Sequence, residues 1–187
     1  MKITKIAKAD LLGSEWDGGK TYEYFIYPPQ ANYAERNFMF RISSASIDKV
    51  PSQFTRFENY KRYLVMLDNS LEIIRNGSKE RYEKHELFTF DSNDTITSSS
   101  VGNDFNLMVS KNDFSSNVLI GANSLTSISD FVIIYSLVES EIQLFDEKIY
   151  LNKNDLLCLE NFTNKKLDIY SCKEIIFINI EIKEKAT

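Results

Sequence analysis

The feature that most constrains the fold is an internal repeat built from short strand patterns. A shift of about 70 residues places Leu67–Ser70 over Leu137–Ser140, and Lys84–Leu87 over Lys153–Leu156 with one deletion between them. Both copies alternate apolar and polar residues in short runs that are separated by turn signals such as Asn76-Gly77. Helix signals are nearly absent. The repeat predicts an all-β protein with two antiparallel β-barrels fused in tandem and little helix.

The tandem arrangement is typical of a bicupin, in which one chain forms two cupin-like barrels. We expect residues 1–110 to form the N-terminal barrel and residues 111–187 the C-terminal barrel, with scope for strands to be exchanged between them. The strand Thr21–Tyr27 should end at Pro28-Pro29, because proline cannot donate to a ladder. Residues 96–102 are expected to be a serine-rich connection, and Lys173–Ile182 a strand buried on both faces.

Charge and composition exclude several classes of function. The net charge of −5 and the pI near 5.1 argue against a nucleic-acid partner, which usually meets a basic surface. The longest apolar run, Phe131–Tyr135, is too short to span a bilayer, and the charged N-terminus lacks a signal-peptide pattern. We therefore expect a cytoplasmic protein with no membrane partner. Cys158 and Cys172 are interpreted as buried small hydrophobes.

Polar residues recur on one face of three predicted strands. An arginine or a serine inside an apolar strand costs free energy to bury without partners, so these faces need an explanation. The candidate ligand-binding residues are Thr21, Glu23, Arg41, Ser43, Arg62, Asp104 and Asn106. Arg41 could hold a ligand carboxylate through its planar fork, and Arg62 is a second candidate cation. Glu23 or Asp104 would then balance Arg41 or bind a ligand amine.

Two interpretations of these faces stay open. The polar side chains either line a ligand pocket or form a closed network of ion pairs and hydrogen bonds that stiffens the barrel. An open cavity of roughly 300 Å³ or more would favour ligand binding. The aromatic residues Phe54, Phe57, Tyr60 and Tyr63 are expected to be mainly core, although they could stack on a planar ligand.

Catalytic and metal chemistry have weak support in the sequence. The single histidine, His85, falls in a predicted turn opposite Asn154 of the second repeat. One imidazole cannot assemble a typical cupin metal site, so we expect no metal and no other cofactor. No nucleophile–histidine arrangement is present, and no catalytic residue is assigned. Acid–base chemistry without a metal is the enzymatic alternative, as in isomerase or epimerase cupins acting on a small polar substrate.

Four motifs occur in the order found in one family. Trp16–Glu23 resembles a W-x-G-G-x-T-x-E opening, and Arg41–Ala45 resembles an R-I-S-x-A strand. Ser52–Phe57, continuing through Arg62, is similar to an S-x-F-S-x-F…R segment, and Asp104–Met108 resembles a D-x-N-x-M strand. Together they make the chain similar to the HutD/Ves family of the cupin superfamily.

The resemblance implies a bicupin without an established enzymatic activity, and it brings no catalytic residues. HutD proteins are associated with histidine-utilisation operons and are proposed to bind a small acidic metabolite, whereas Ves proteins are linked to cold and stress responses. We therefore expect an accessory or regulatory protein that binds a small acidic metabolite. Cupins often dimerise through sheet faces, which makes a homodimer an expectation as well.

Overall fold

A computed structural model describes residues 1–183, which form β-strands, one 3-10 helix and connecting turns, with no α-helix. The 3-10 helix covers Lys8–Asp10. The strands are β1 Lys2–Ile6, β2 Gly13–Trp16, β3 Gly19–Tyr27, β4 Phe40–Ile47, β5 Ser52–Gln53, β6 Tyr60–Met66, β7 Leu71–Arg75, β8 Ser78–Tyr82, β9 Leu87–Asp91, β10 Ile96–Ser98, β11 Gly102–Ser110, β12 Phe114–Ile120, β13 Ser124–Ser127, β14 Phe131–Ser136, β15 Ser140–Leu144, β16 Glu147–Leu151, β17 Leu156–Glu160, β18 Leu167–Ser171 and β19 Ile175–Ile182. Within this part of the chain, no helix has the length and apolar character needed to cross a membrane.

The chain divides into two compact units. The unit Leu11–Asp113 contains a six-stranded sheet, ordered β2-β3-β4-β11-β6-β9, and a four-stranded sheet, ordered β5-β10-β7-β8. The other unit joins Met1–Asp10 to the chain from Phe114 onward. It contains a five-stranded sheet, ordered β1-β17-β14-β19-β12, and a four-stranded sheet, ordered β13-β18-β15-β16. The predicted boundary after residue 110 stays a prediction.

The repeat seen in the sequence is also a repeat of topology. The order β4-β11-β6-β9 in one unit matches β12-β19-β14-β17 in the other, and β5-β10-β7-β8 matches β13-β18-β15-β16. Each strand thus corresponds to the strand eight places later, and the pairs of both copies are antiparallel. The all-β prediction is confirmed. The ladders of residues 1–183 form open sheets, so the predicted pair of closed barrels is not confirmed.

One turn shows how closely the two copies agree. His85 and Asn154 both have a left-handed backbone, with φ values of 64° and 67°. The His85 N–H donates to the Met66 carbonyl (3.0 Å), and the Asn154 N–H donates to the Ser136 carbonyl (2.7 Å). Met66 and Ser136 therefore occupy equivalent positions at the ends of β6 and β14. The predicted alignment of His85 with Asn154 is confirmed.

Two details of the sequence-based fold are wrong. The serine-rich connection contains a short strand, β10, because the backbone of Ile96–Ser98 pairs with both β5 and β7. Cys172 is exposed, since it follows the last residue of β18 in a bend, whereas Cys158 is fully buried in β17 as expected. The interpretation of β19 as a buried strand agrees with its burial from Ile175 to Ile178.

The shared turn generates a stability prediction. Asp155 is buried, and its carboxylate accepts the N–H groups of Asn152 (2.9 Å) and Lys8 (3.1 Å), so it ties the N-terminal segment to this unit. The equivalent Glu86 is exposed and accepts the N–H of Glu83 (2.7 Å). Asp155→Ala should lower the free energy of unfolding by about 2 kcal/mol, because it leaves two part-buried backbone donors without their acceptor, and Glu86→Ala by less than about 1 kcal/mol. Urea unfolding of both variants measures the difference, and equal losses would contradict the assignment.

Candidate functional site

Strand pairing in the six-stranded sheet brings the predicted polar faces together. Arg41 on β4 and Arg62 on β6 both pair with Met108 of β11, the strand between them. Their backbones therefore lie roughly 10 Å apart, twice the usual spacing of neighbouring strands. Asn106 pairs with Ser43 on one side, two residues along the same face. The sheet thus places two arginine side chains at one level, with polar groups next to them.

A cavity of about 280 Å³ opens at this place. Its volume lies close to the lower end of the range for small-molecule sites. Six of the seven predicted residues line it: Thr21, Arg41, Ser43, Arg62, Asp104 and Asn106. Glu23 is not among the lining residues, although it pairs with Ser43 ahead of a β-bulge in β3, and its partly exposed carboxylate contacts Arg41 instead. Whether these residues bind a ligand stays a prediction.

Arg41 is held from three sides. Its Nε donates to Glu23 Oε2 at 2.6 Å, and its Nη1 donates to Ser43 Oγ at 3.3 Å. The guanidinium lies over the ring of Tyr33, 4.3 Å from the ring centroid. The arginine side chain is buried while that of Glu23 is 40% exposed, so this ion pair lies at the boundary between the cavity wall and solvent. Arg41 therefore both lines the cavity and belongs to an internal ion pair, which combines the two interpretations left open by the sequence.

Arg62 is buried among neutral groups. Its Nε donates to Asn106 Oδ1 (3.3 Å), and its Nη1 donates to the Thr55 carbonyl (3.2 Å). The guanidinium also lies over the rings of Phe90 and Phe54, at 4.9 and 5.6 Å from their centroids. Burial lowers the pKa of Arg62 to about 10, so the side chain remains protonated at neutral pH. Within residues 1–183 no carboxylate forms an ion pair with Arg62.

Asp104 is the acidic group inside the cavity. The residue is 5% exposed, and its Oδ1 accepts the N–H of Ala45 at 3.0 Å. Burial raises the pKa of Asp104 to about 7, while the Ala45 N–H and the charges of Arg62 and Arg41 oppose that rise. The negative charge of Asp68 adds to it. The carboxyl group is therefore about equally protonated and ionised near neutral pH.

Several cavity residues were not predicted as site residues. Tyr33 lies in a polar segment without periodicity, so no strand pattern marked it, and its ring supports Arg41. Phe54 was expected to be mainly core but lines the cavity. The remaining wall comes from Ser14, Glu15, Trp16, Ala45, Ile47, Gln53, Thr55 and Leu64. The other members of the aromatic group, Phe57, Tyr60 and Tyr63, are buried as expected.

The hairpin of β2 and β3 forms one rim. All four residues of β2 are exposed, and Trp16 extends over Gly18, where an added Cβ would lie 2.0 Å from the indole Cη2. Gly19 approaches the backbone so closely that a Cβ would lie 2.1 Å from the Ser46 carbonyl oxygen. The two glycines are therefore required for Trp16 to cover this turn and for β3 to pack on β4.

The second repeat serves as an internal comparison for Arg62. Because Met66 and Ser136 are equivalent, Arg62, four residues earlier on β6, corresponds to Val132 on β14. Val132 is fully buried in the apolar core of its own unit. The same strand position thus carries a charge in one repeat and a hydrocarbon in the other.

The positions of Asp104 and Asn106 also carry apolar residues in the second repeat. Asp104 pairs with Met66, and Ile175 pairs with the equivalent Ser136. By the same register Asn106, which pairs with Leu64, corresponds to Phe177, which pairs with Ile134. Ile175 and Phe177 belong to the apolar core that also contains Val132. The polar interior is therefore a property of the unit Leu11–Asp113 and not of the repeated strand pattern.

The remaining chemistry-bearing residues do not form a metal centre. Among residues 1–183, no group of three or more histidine, cysteine, aspartate or glutamate side chains is arranged to hold an ion. His85 is half-buried in its turn between β8 and β9, outside the residues that line the cavity.

The burial of Asp104 predicts a specific dependence of stability on pH. Its pKa is about 7 in the folded protein and about 3.9 in an unfolded chain, so the folded state binds the proton more tightly between these values. The free energy of unfolding should therefore fall as pH rises from about 4 to about 7, by at most about 4 kcal/mol, and then level off. Asp104→Asn keeps an oxygen acceptor for the Ala45 N–H and should remove this pH-dependent part of the free energy of unfolding. Urea unfolding of both proteins across this pH range gives the difference; parallel curves would contradict the prediction.

The family of this chain is shown by comparison with protein-family models. The model of the HutD family matches residues 8–177. A search of curated proteins gave no match.

Solved structures show the same fold. HutD from Pseudomonas fluorescens SBW25 is 20% identical, with a TM-score of 0.84, over 98% of this chain and 100% of that one. A conserved protein of unknown function from Pseudomonas aeruginosa PAO1, PA5104, is 16% identical, with a TM-score of 0.85, over 97% of this chain and 100% of that one. A cupin 2 conserved barrel domain protein from Leptotrichia buccalis is 10% identical, with a TM-score of 0.58, over 98% of both chains. The fold is cupin-like, and the chain belongs to the HutD family.

Proposed function

We propose that this protein is an accessory or regulatory protein that binds a small acidic metabolite in the cavity of the unit Leu11–Asp113. The observation that carries the proposal is the environment of Arg62. Its guanidinium is buried and protonated, yet its hydrogen bonds go to neutral oxygens of Asn106 and Thr55. Burying a charge without a counter-ion is costly, so an anion that enters the cavity gains a strong, charge-assisted contact.

Arg41 leaves the charge of Arg62 unbalanced, because its own charge is balanced by its ion pair with Glu23. The two arginines and this one carboxylate therefore leave a net positive charge whenever Asp104 is protonated. A ligand carboxylate near Arg62 would balance that charge. The planar guanidinium suits carboxylates because it can donate two parallel hydrogen bonds.

The second repeat supports a functional origin for these charges. The positions equivalent to Arg62, Asp104 and Asn106 carry Val132, Ile175 and Phe177 in an apolar core, so this strand topology forms without polar side chains at these three positions. Replacing a buried ion pair by apolar residues is often neutral or stabilising in proteins. Retaining the buried Arg62 where the second repeat has Val132 therefore favours a binding role over a purely structural one.

The wider setting of the proposal comes from the family. We place the protein in the cytoplasm, in a histidine-utilisation or stress-response context, acting without a metal and with a homodimer as the expected assembly. The eight-strand repeat supports a bicupin architecture, in which each unit is a cupin-like domain. The small cavity favours metabolites of a few carbon atoms over nucleotide-sized ligands.

Arg62 gives the direct test. Purified protein is titrated by calorimetry with acetate, succinate, glutarate, glutamate, inorganic phosphate and acids of histidine degradation. Arg62→Gln should weaken the binding of the best acid by at least about tenfold, since it removes a contact of roughly 1.4 kcal/mol or more. Arg81→Gln is the matched control, because Arg81 is exposed and paired with Glu72 and Glu83 outside the cavity. Equal affinities in the two variants, or no binding of any acid to the wild type at about 10 mM, would exclude the proposed site.

A substitution at Glu23 distinguishes a ligand pocket from a closed network of ion pairs. Glu23→Gln keeps an oxygen acceptor for Arg41 Nε but removes the balancing charge. If the cavity binds anions, this variant should bind the same acid a few times more tightly, because unit charges a few ångströms apart interact by about 1 kcal/mol or more even in high dielectric. Calorimetry measures the change. Weaker binding would instead show that the ion pair is needed to position Arg41.

A further inference from the structure

Asp104 is the buried acidic residue among the residues that line the cavity. It lies on β11 between the strands that carry the two arginines, and it is almost fully buried. Its Oδ1 accepts the Ala45 N–H, and the side chain lines the cavity. Within residues 1–183 the carboxyl group forms no ion pair with a lysine or arginine. A buried carboxyl group in this position is more stable as the neutral acid than one in water.

The charges around Asp104 come from every neighbouring element. The groups are Arg41 on β4, Glu23 on β3, Arg62 on β6, Asp68 in the turn after β6, Glu15 on β2 and Tyr33 in the loop before β4. The two arginines favour the ionised form and Asp68 opposes it. Glu23 cancels part of the effect of Arg41 because it forms the ion pair with that residue. None of these cations touches the carboxyl group, so burial is the largest effect.

We propose that Asp104 is a specificity-determining residue that binds the acid ligand as a neutral carboxylic acid, donating its proton in a hydrogen bond to a ligand oxygen. This inference rests on the proposed function and names the ligand more closely. The proton comes from solvent, and one proton is taken up for each ligand anion that binds an ionised Asp104. No covalent bond forms or breaks elsewhere.

The role of Asp104 sets the chemical class of the ligand. A protonated carboxyl group donates to acceptor oxygens, such as those of a carboxylate or a carbonyl, and offers nothing to an ammonium group. An ammonium group would favour an ionised Asp104 and would bind better as pH rises. With Glu23 already engaged by Arg41, the cavity has no second buried carboxylate among its lining residues to receive an amine. The ligand class is therefore an acid whose end near Asp104 carries oxygen acceptors.

The test measures binding of glutarate and of glutamate by calorimetry at pH 6, 7 and 8, in two buffers that differ in ionisation enthalpy. With Asp104 half-ionised near pH 7, the dissociation constant for glutarate should rise by about tenfold between pH 6 and pH 8. Close to one proton should be taken up per glutarate at pH 8, and much less at pH 6. Glutamate should bind more weakly than glutarate at each pH.

Variants assign the effect to Asp104. Asp104→Asn should bind glutarate with little dependence on pH and no proton uptake. Glu86→Gln is the matched control, since it removes an exposed carboxylate outside the cavity and should keep the wild-type dependence. Should Asp104→Asn fail to fold, carboxyl-carbon NMR of the wild type, titrated with and without glutarate, provides the second readout: a carboxyl resonance with a midpoint near pH 7 must move to higher pH on binding.

The outcomes separate this inference from the proposed function. Glutarate binding that is independent of pH and releases or takes up no proton would overturn the role of Asp104 while leaving the anion site intact. Tighter binding of glutamate at pH 8 would identify Asp104 as an ammonium receptor and overturn the inference as well. If no acid binds at any pH, the proposed function fails and the inference fails with it.

Discussion

The buried guanidinium of Arg62 is the constraint on which the interior of the unit Leu11–Asp113 depends. Its charge persists at neutral pH, since burial lowers its pKa only to about 10. The protein must therefore solvate it with the amide oxygen of Asn106, the carbonyl of Thr55 and the faces of two phenylalanine rings. Neutral dipoles and aromatic faces recover only part of the hydration lost on burial. This unbalanced charge is the basis of the proposal that the cavity binds an anion.

The fold was largely predictable because the geometry of a β-strand fixes the alternation of its side chains. Period-two alternation and the hairpin signal at Asn76-Gly77 both indicated strands. The 70-residue shift indicated a repeat, and the matching order of β4–β11 and β12–β19 confirms it. Whether the sheets close into barrels could not be predicted from these patterns, since closure depends on hydrogen-bonded pairing between strands that are distant in sequence. The strand β10 was missed because serines at Ser98 to Ser100 suggested a loop, while its partners β5 and β7 lie far away in sequence.

The candidate site was predictable only where a straight strand carries it. Arg41 and Ser43, like Asp104 and Asn106, reach the cavity because β4 and β11 alternate regularly and pair in register. Glu23 lies outside the cavity lining because its carboxylate is engaged by Arg41 at the boundary with solvent, a pairing that strand alternation does not reveal. Tyr33 was missed because a loop has no period from which its side chain could be placed. Strand periodicity thus predicts the walls of such a cavity better than its rim.

The two carboxyl groups near the arginines show how environment divides chemically similar residues. Glu23 is partly exposed and forms an ion pair with Arg41. Asp104 is buried without a contacting cation, and its pKa rises to about 7. The sequence could not distinguish them, since either one alternates on a strand beside an arginine. Burial distinguishes them, because the partly exposed carboxylate is paired with a guanidinium, whereas the buried one lines the cavity without a contacting cation, as the role proposed for Asp104 requires. A site containing two guanidinium groups and one fixed carboxylate reaches neutrality with a single ligand anion only while the second carboxyl group keeps its proton.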